Sequence, residues 1–179
     1  KQEYDRDWAG AQRDYQRALE LNPGYATARQ WYALYLCTLG RFEEALAEFT
    51  RAQELDPLSL VISGQTGLVF YYERRYDQAI EQYRKTLAMD PNFSVAHSDL
   101  GRAYLGKSMY PEAITELEAA VRLGGGHPRY LGTLGRAYGL SGNRGEAHKI
   151  LVELRVRSKQ VYIPALAFVE VHLGLGDKE

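Results

Sequence analysis

The chain of 179 residues has a single cysteine, a formal net charge of only −1 and no long apolar run. Each of these scarcities excludes something. Cys37 has no mate within the chain, so nothing here is built around an intrachain disulfide. With 22 Lys and Arg against 23 Asp and Glu, the charge is too balanced for a dedicated nucleic-acid binder, whose affinity comes largely from neutralising phosphates. No stretch approaches the roughly 18 apolar residues of a membrane span, so no membrane contact is expected. The opening Lys1-Gln2-Glu3-Tyr4-Asp5 does not read as a signal peptide. His97, His127, His148 and His172 stand far apart and give no close metal-ligand spacing, so neither metal nor cofactor is expected. A chain of this size can bury about 70% of its unfolded surface and needs no staple.

What is present is repetition. Ala11, Ala45, Ala79, Ala113 and Ala147 follow one another at a constant spacing without an insertion or deletion. With Ala at roughly a tenth of residues, four successive coincidences have odds on the order of one in ten thousand per starting point. Pro23, Pro57 and Pro91 keep the same period, as do Gly67, Gly101 and Gly135, the aromatic column Trp8, Phe42, Tyr76, Tyr110, and the apolar column Tyr15, Phe49, Tyr83, Leu117, Leu151. Between these marks the spacing is helical: Phe42, Ala45, Leu46, Phe49, Ala52 and Leu55 recur at steps of three, four and seven. Asp56-Pro57 then ends the helix, because proline lacks the backbone donor and biases the residue before it away from helix. A shorter helix precedes each of these, for example over Val95 to Gly106, so the unit is a helical hairpin.

These columns resemble the tetratricopeptide repeat, which has Leu-Gly, Tyr, Ala and Pro at fixed offsets in a unit of about 34 residues. Leu100-Gly101-Arg102-Ala103-Tyr104 with Tyr110 and Ala113, and Leu134-Gly135-Arg136-Ala137-Tyr138 with Gly142 and Ala147, carry the match. The resemblance implies an all-α, right-handed superhelical solenoid of antiparallel helix pairs. It divides the chain into a partial repeat at 1–25, complete repeats at 26–59, 60–93, 94–127 and 128–161, and a partial repeat at 162–179. Both ends fall inside a repeat and the last helix is apolar nearly all round, so a piece of a longer protein is expected. Arg74 and Ser108 depart from the turn glycine, Thr86 and Leu154 from a small residue, and Gly124-Gly125-Gly126 from the Asp-Pro ending, which is expected to loosen the hinge before Pro128.

Three motifs invite chemistry and lose it on context. Gly101 to Ser108 spells the phosphate-loop pattern, but such a loop must follow a strand and open a helix, whereas Gly101 and Tyr104 fill repeat columns. Gly124-Gly125-Gly126-His127-Pro128 reads as a turn between repeats rather than an anion-holding loop. Asn92-Phe93-Ser94 matches a glycosylation acceptor that matters only in a secretory compartment. Carboxylate pairs such as Glu43 and Glu44 sit on solvated helix faces, and no catalytic constellation emerges.

In the family that these repeats resemble, peptides bind a concave groove lined by the second, fifth, ninth and twelfth residues of each first helix. The resemblance thus implies a groove built from Thr27, Gln30, Leu34 and Cys37 with Trp31 and Thr38 beside them; Val61, Gly64, Leu68 and Tyr71 with Gln65 and Tyr72; Val95, Ser98, Arg102 and Leu105 with Asp99; and Arg129, Gly132, Arg136 and Gly139 with Thr133. Tyr71 and Tyr72 offer rigid amphipathic contact area, and Arg102 and Arg136, in one column, could hold a carboxylate between them. The alternative is that a tyrosine packs against a neighbouring repeat and the arginines are solvated. The Lys and Asn clamp with which some relatives grip a C-terminal carboxylate is missing, since its positions hold Gln30, Leu34, Gln65, Val95 and Asp99. Trp31-Tyr-Ala-Leu-Tyr, Arg51-Ala-Gln-Glu-Leu-Asp-Pro and Tyr71-Tyr-Glu-Arg-Arg-Tyr are similar to the C-terminal repeat regions of multidomain bacterial signalling proteins, which implies a cytoplasmic regulatory setting. A non-enzymatic scaffold binding a protein or peptide segment of partly acidic character is the first expectation. A self-association module forming a homodimer through exposed end helices is the second, and a nucleotide-binding enzyme resting on Lys107 and Ser108 is a distant third.

Overall fold

The computed structural model describes residues 7–177, and among these every regular element is an α-helix. Residues 1–6 and 178–179, the outer parts of the two expected partial repeats and the whole of the opening charged segment, lie outside the described residues. The order is α1 (Trp8–Leu21), α2 (Ala26–Thr38), α3 (Phe42–Leu55), α4 (Leu60–Tyr72), α5 (Tyr76–Met89), α6 (Ser94–Gly106), α7 (Tyr110–Leu123), α8 (Pro128–Leu140), α9 (Arg144–Arg157) and α10 (Ala165–Leu175). Helices α2, α4, α6 and α8 begin at 26, 60, 94 and 128, and α3, α5, α7 and α9 at 42, 76, 110 and 144, so the helices themselves keep the period of the sequence columns.

Each hairpin turns on one left-handed residue. Gly40, Arg74, Ser108 and Gly142 have φ of 72°, 59°, 58° and 85°. The amide following each reaches back to a helical carbonyl, as in Arg41 N to Leu36 O at 3.0 Å and Arg75 N to Phe70 O at 2.9 Å. This is the six-to-one bond that closes a helix end when the next residue is left-handed. Arg74 and Ser108 therefore keep the glycine conformation without glycine. The Gly124-Gly125-Gly126 segment differs from the sequence expectation of a loosened hinge. The Gly126 amide bonds the Val121 carbonyl at 2.8 Å, and Nη1 of Arg157 on α9 donates to the Gly126 carbonyl at 2.7 Å. A cation from the next hairpin pins the turn.

Inside a hairpin the small columns let two helices approach. A Cβ added to Gly101 would lie 2.6 Å from Leu117 Cγ and 3.2 Å from the Ala113 carbonyl oxygen, so a larger residue overpacks this crossing, at a cost of about 1–3 kcal/mol. Thr86 is buried and bonded, its hydroxyl 2.7 Å from that of Ser63. The core runs along the array in two stretches. Tyr32, Tyr35, Leu36, Phe49, Ile62 and Val69 form one between α2 and α4, with Tyr15 of α1 packed against it. Tyr83, Leu100, Tyr104, Leu117, Leu134, Leu151 and Val171 run through the other from α5 to α10, joined by Phe70 and Tyr71. Helix α4 thus serves both.

The last helix breaks the period. A regular array would start it at position 162, but α10 starts at 165, behind a connector at 158–164 that is longer than those joining the earlier hairpins. It buries Ala167, Val171, Gly174 and Leu175 and lies against α8 and α9. No helix among the described residues is long and apolar enough to cross a membrane.

Candidate binding groove

The predicted groove residues fall into two zones that meet at the end of α4. On α2 and α4 the surface is aromatic and aliphatic. Trp31 and Tyr72 are each 53% exposed, Leu34 and Leu68 are half-buried, and Gln30 is buried. Leu34, Cys37, Thr38, Phe42, Leu68 and Tyr72 line an open, largely apolar cavity of about 450 Å³. Burial and the nearby Glu73 carboxylate push the Cys37 thiol up to about 11, so it acts here as a small apolar wall. The Gln65 side-chain oxygen is buried and has no hydrogen-bond partner among the described residues.

On α6, α8 and α10 the surface is ionic, with Arg102, Arg129 and Arg136 set against Asp99 and Glu170. Asp99 is buried and accepts from Arg102 at 3.2 Å on its own helix and from Arg129 of α8 at 3.3 Å. Burial raises the Asp99 carboxyl above its usual range, and the two arginines oppose that rise. Arg102 also lies 4.6 Å over the Tyr71 ring. Burial works against its charge, but Tyr71 and Asp99 outweigh this and leave its affinity for the proton raised. Arg136 pairs with Glu170 of α10 at 3.1 Å. The expected arrangement, two guanidinium groups sharing a ligand's carboxylate, is therefore replaced by one in which each arginine has a carboxylate of this chain.

The two tyrosines also part company. Tyr71 is half-buried against Tyr76, with ring centres 5.7 Å apart, and beneath Arg102, so it packs between repeats. Tyr72 remains exposed and lines both the apolar cavity and a second one of about 410 Å³ formed with Arg102, His127, Arg129, Thr133, Pro164, Leu166, Ala167 and Glu170. Ser98 and Thr133 are buried. The Thr133 hydroxyl donates to the Arg129 carbonyl at 3.1 Å, while the Ser98 hydroxyl has no partner among the described residues. The contribution of Leu166, Ala167 and Glu170 is absent from the sequence reading. Its signal is the run Gly132, Gly135, Gly139, which gives α8 one bare face.

The look-alike motifs carry no site. Gly101 is packed inside α6, and the Lys107 ammonium pairs with Asp77. His97 is held between Glu116 and the Pro91 carbonyl, at 2.6 and 2.9 Å. Among the described residues no three His, Cys, Asp or Glu side chains converge on a metal position.

No curated protein sequence matches the chain. Solved structures do. PilW, a type IV pilus biogenesis factor, is 20% identical with a TM-score of 0.78 over 96% of this chain and 80% of its own. MamA from Desulfovibrio magneticus RS-1 is 20% identical with a TM-score of 0.70 over 87% of this chain and 88% of its own. The first repeat domain of Spaghetti, solved with an HSP90 peptide bound, is 17% identical with a TM-score of 0.57 over 63% of this chain and 89% of its own. At these identities the likeness is one of fold. The sequence profile of the tetratricopeptide repeat matches residues 2–59 and 65–128. Taken with the helix pairs that recur at one constant period, this makes the chain a member of the tetratricopeptide-repeat family, an all-α solenoid that serves as a protein-interaction scaffold and not as an enzyme.

Proposed function

We propose that the chain binds a protein segment through apolar anchors in the groove of α2, α4 and α6. The observation that carries this is the meeting of two cavities, of about 450 and 410 Å³, at one exposed aromatic residue, Tyr72. Trp31, Val61 and Val95, exposed by 53%, 47% and 40%, extend the apolar surface along the same helices. A rigid aromatic beside concave apolar space is the usual site of interface hot spots. Because Asp99 and Glu170 already hold the arginines, apolar side chains rather than acidic ones supply the partner's affinity. That a fold neighbour holds a peptide supports the mode of binding, while the missing clamp argues against a chaperone tail as ligand. The array is read as the recognition module of a larger cytoplasmic regulatory protein.

A photo-reactive residue in place of Tyr72 tests the reading against the same residue in place of the exposed Glu43 on α3, which lines neither cavity. Adducts with a distinct protein at position 72 and none at position 43 are expected. The same adducts from both positions would overturn the groove reading. Adducts only between copies of this chain would move support to self-association.

A further inference from the structure

One column of the array carries a clasp between the first helix of a unit, its second helix and the turn that leads into it. In the unit of α2 and α3, the Arg29 guanidinium donates from Nη1 to Glu48 at 2.7 Å, and from Nε and Nη2 to the Pro23 carbonyl at 3.2 and 3.1 Å. In the unit of α6 and α7, His97 stands in the place of Arg29, Glu116 in that of Glu48 and Pro91 in that of Pro23. The ring makes the same two contacts, Nδ1 with Glu116 Oε2 at 2.6 Å and Nε2 with the Pro91 carbonyl oxygen at 2.9 Å. The units between and after these do without the cation. Gln82 donates to Ser63, and Leu131 and Ile150 are buried.

An ionised carboxylate and a carbonyl accept and cannot donate. Both bonds of His97 therefore exist together only when both ring nitrogens carry hydrogen, that is, in the imidazolium. The neutral ring has one N–H and keeps one bond, and the carboxylate, as the stronger acceptor, retains it. Arg29 faces no such choice, because a guanidinium is not deprotonated in a protein. Glu116 is the charge that α7 brings to the ring. The other charges on the elements packed against α6 are bonded elsewhere or exposed. On α5, Glu81 pairs with Lys85 and Arg84 donates to the Tyr104 hydroxyl. On α7, Glu118 accepts from Tyr138, and Glu112 and Arg122 are exposed. On α8, Arg129 reaches Asp99 and Arg136 reaches Glu170, while α4 has no charged residue. Asp90, in the turn itself, accepts from the Asn92 amide at 2.8 Å.

We propose that His97 is a proton-operated clasp on the joint between α5 and α6. With the proton, it ties the turn at Pro91 to α7. Without it, the Pro91 carbonyl is released and the turn loosens, whereas the Arg29 clasp ahead of α2 holds in acid and alkali alike. The joint lies between Tyr72 of α4 and Arg102 of α6, which line one cavity, so a partner seated there is gripped more firmly in acid. That consequence rests on the groove reading; the clasp itself does not.

Two readings of the chain alone test the clasp. Ring-nitrogen NMR between pH 5 and 9 should show His97 protonated on both nitrogens at the acid end and on Nδ1 alone at the alkaline end. Over the same range the hydrogen-exchange protection of the Phe93 amide, bonded to the Asp90 carbonyl within the turn, should fall about three- to tenfold. The Tyr25 amide, bonded to the Asn22 carbonyl in the matching turn, should stay level. Protection is taken against the unfolded chain at each pH, which removes the pH dependence of exchange itself. In His97→Arg, the Phe93 amide should hold as the Tyr25 amide does. Unchanged ring protonation across the range, or level Phe93 protection in the parent, would overturn the proposal. An equal fall at Tyr25 and Phe93 would overturn it too, as would a folded His97→Arg variant that still loses Phe93 protection. No partner enters these measurements, so they can fail while crosslinking at position 72 succeeds, and the reverse.

Discussion

Two adjacent tyrosines show how little the identity of a residue says about its use. Tyr71 is packed between repeats, under Arg102 and against Tyr76, whereas Tyr72 faces both cavities. Cys37 is a wall residue whose thiol, raised to about 11 by burial, carries almost no thiolate at neutral pH. Ellman's reagent at pH 8 should therefore leave it unmodified in the folded chain and modify it fully in denaturant; rapid labelling of the folded chain would contradict the packing described. Asp99 gives a pH dependence with a definite sign. Its carboxyl is raised in the folded chain, chiefly by burial, so the fold holds this proton more tightly than the unfolded chain, where the pKa is about 3.9. The stability it contributes is full below that value and is lost as pH rises through the raised one. Urea denaturation between pH 3 and 7 should show a downward component with rising pH that Asp99→Asn lacks. An identical slope in both would remove burial as the dominant influence on Asp99.

At the scale of the element, the turns test whether the repeat imposes conformation on residues that do not favour it. Arg74 and Ser108 sit at φ near 60° because the helix-closing bond and the next helix over-determine the turn. A non-glycine residue there costs about 1–2 kcal/mol, partly returned by its lower entropy in the unfolded chain. Arg74→Gly and Ser108→Gly should each stabilise the chain by up to about 1 kcal/mol, and Gly142→Ala should destabilise it by about 1 kcal/mol, measured by thermal or urea unfolding. Helices are legible in the sequence because the constant period of the small and aromatic columns agrees with the apolar spacing, even where the Asp-Pro ending is missing. Helix α10 is not: its residues are apolar nearly all round, which does not choose a face, and its position depends on glycines of a different helix, α8. The turn at Gly124 is firmer than its glycines imply for a similar reason, since the cation that holds it comes from Arg157.

At the scale of the whole molecule, the array divides into an apolar half that can receive a partner and an ionic half that largely satisfies itself. Column positions in the sequence bring Leu34, Leu68, Tyr72, Arg102 and Arg129 to one surface, and in the structure they line the two cavities. What they do not convey is charge pairing between helices: Arg129 reaches Asp99 of α6 and Arg136 reaches Glu170 of α10, so these two arginines look free in the sequence and are bound in the fold. Tyr72, where the halves meet, is therefore the residue on which binding should turn. The direct test is calorimetric titration of the partner segment captured through position 72 into the chain and into its Tyr72→Ala variant. We predict a loss of at least about 2 kcal/mol, roughly thirtyfold in Kd, with unchanged helicity. Unchanged affinity in Tyr72→Ala would contradict a groove centred on this residue.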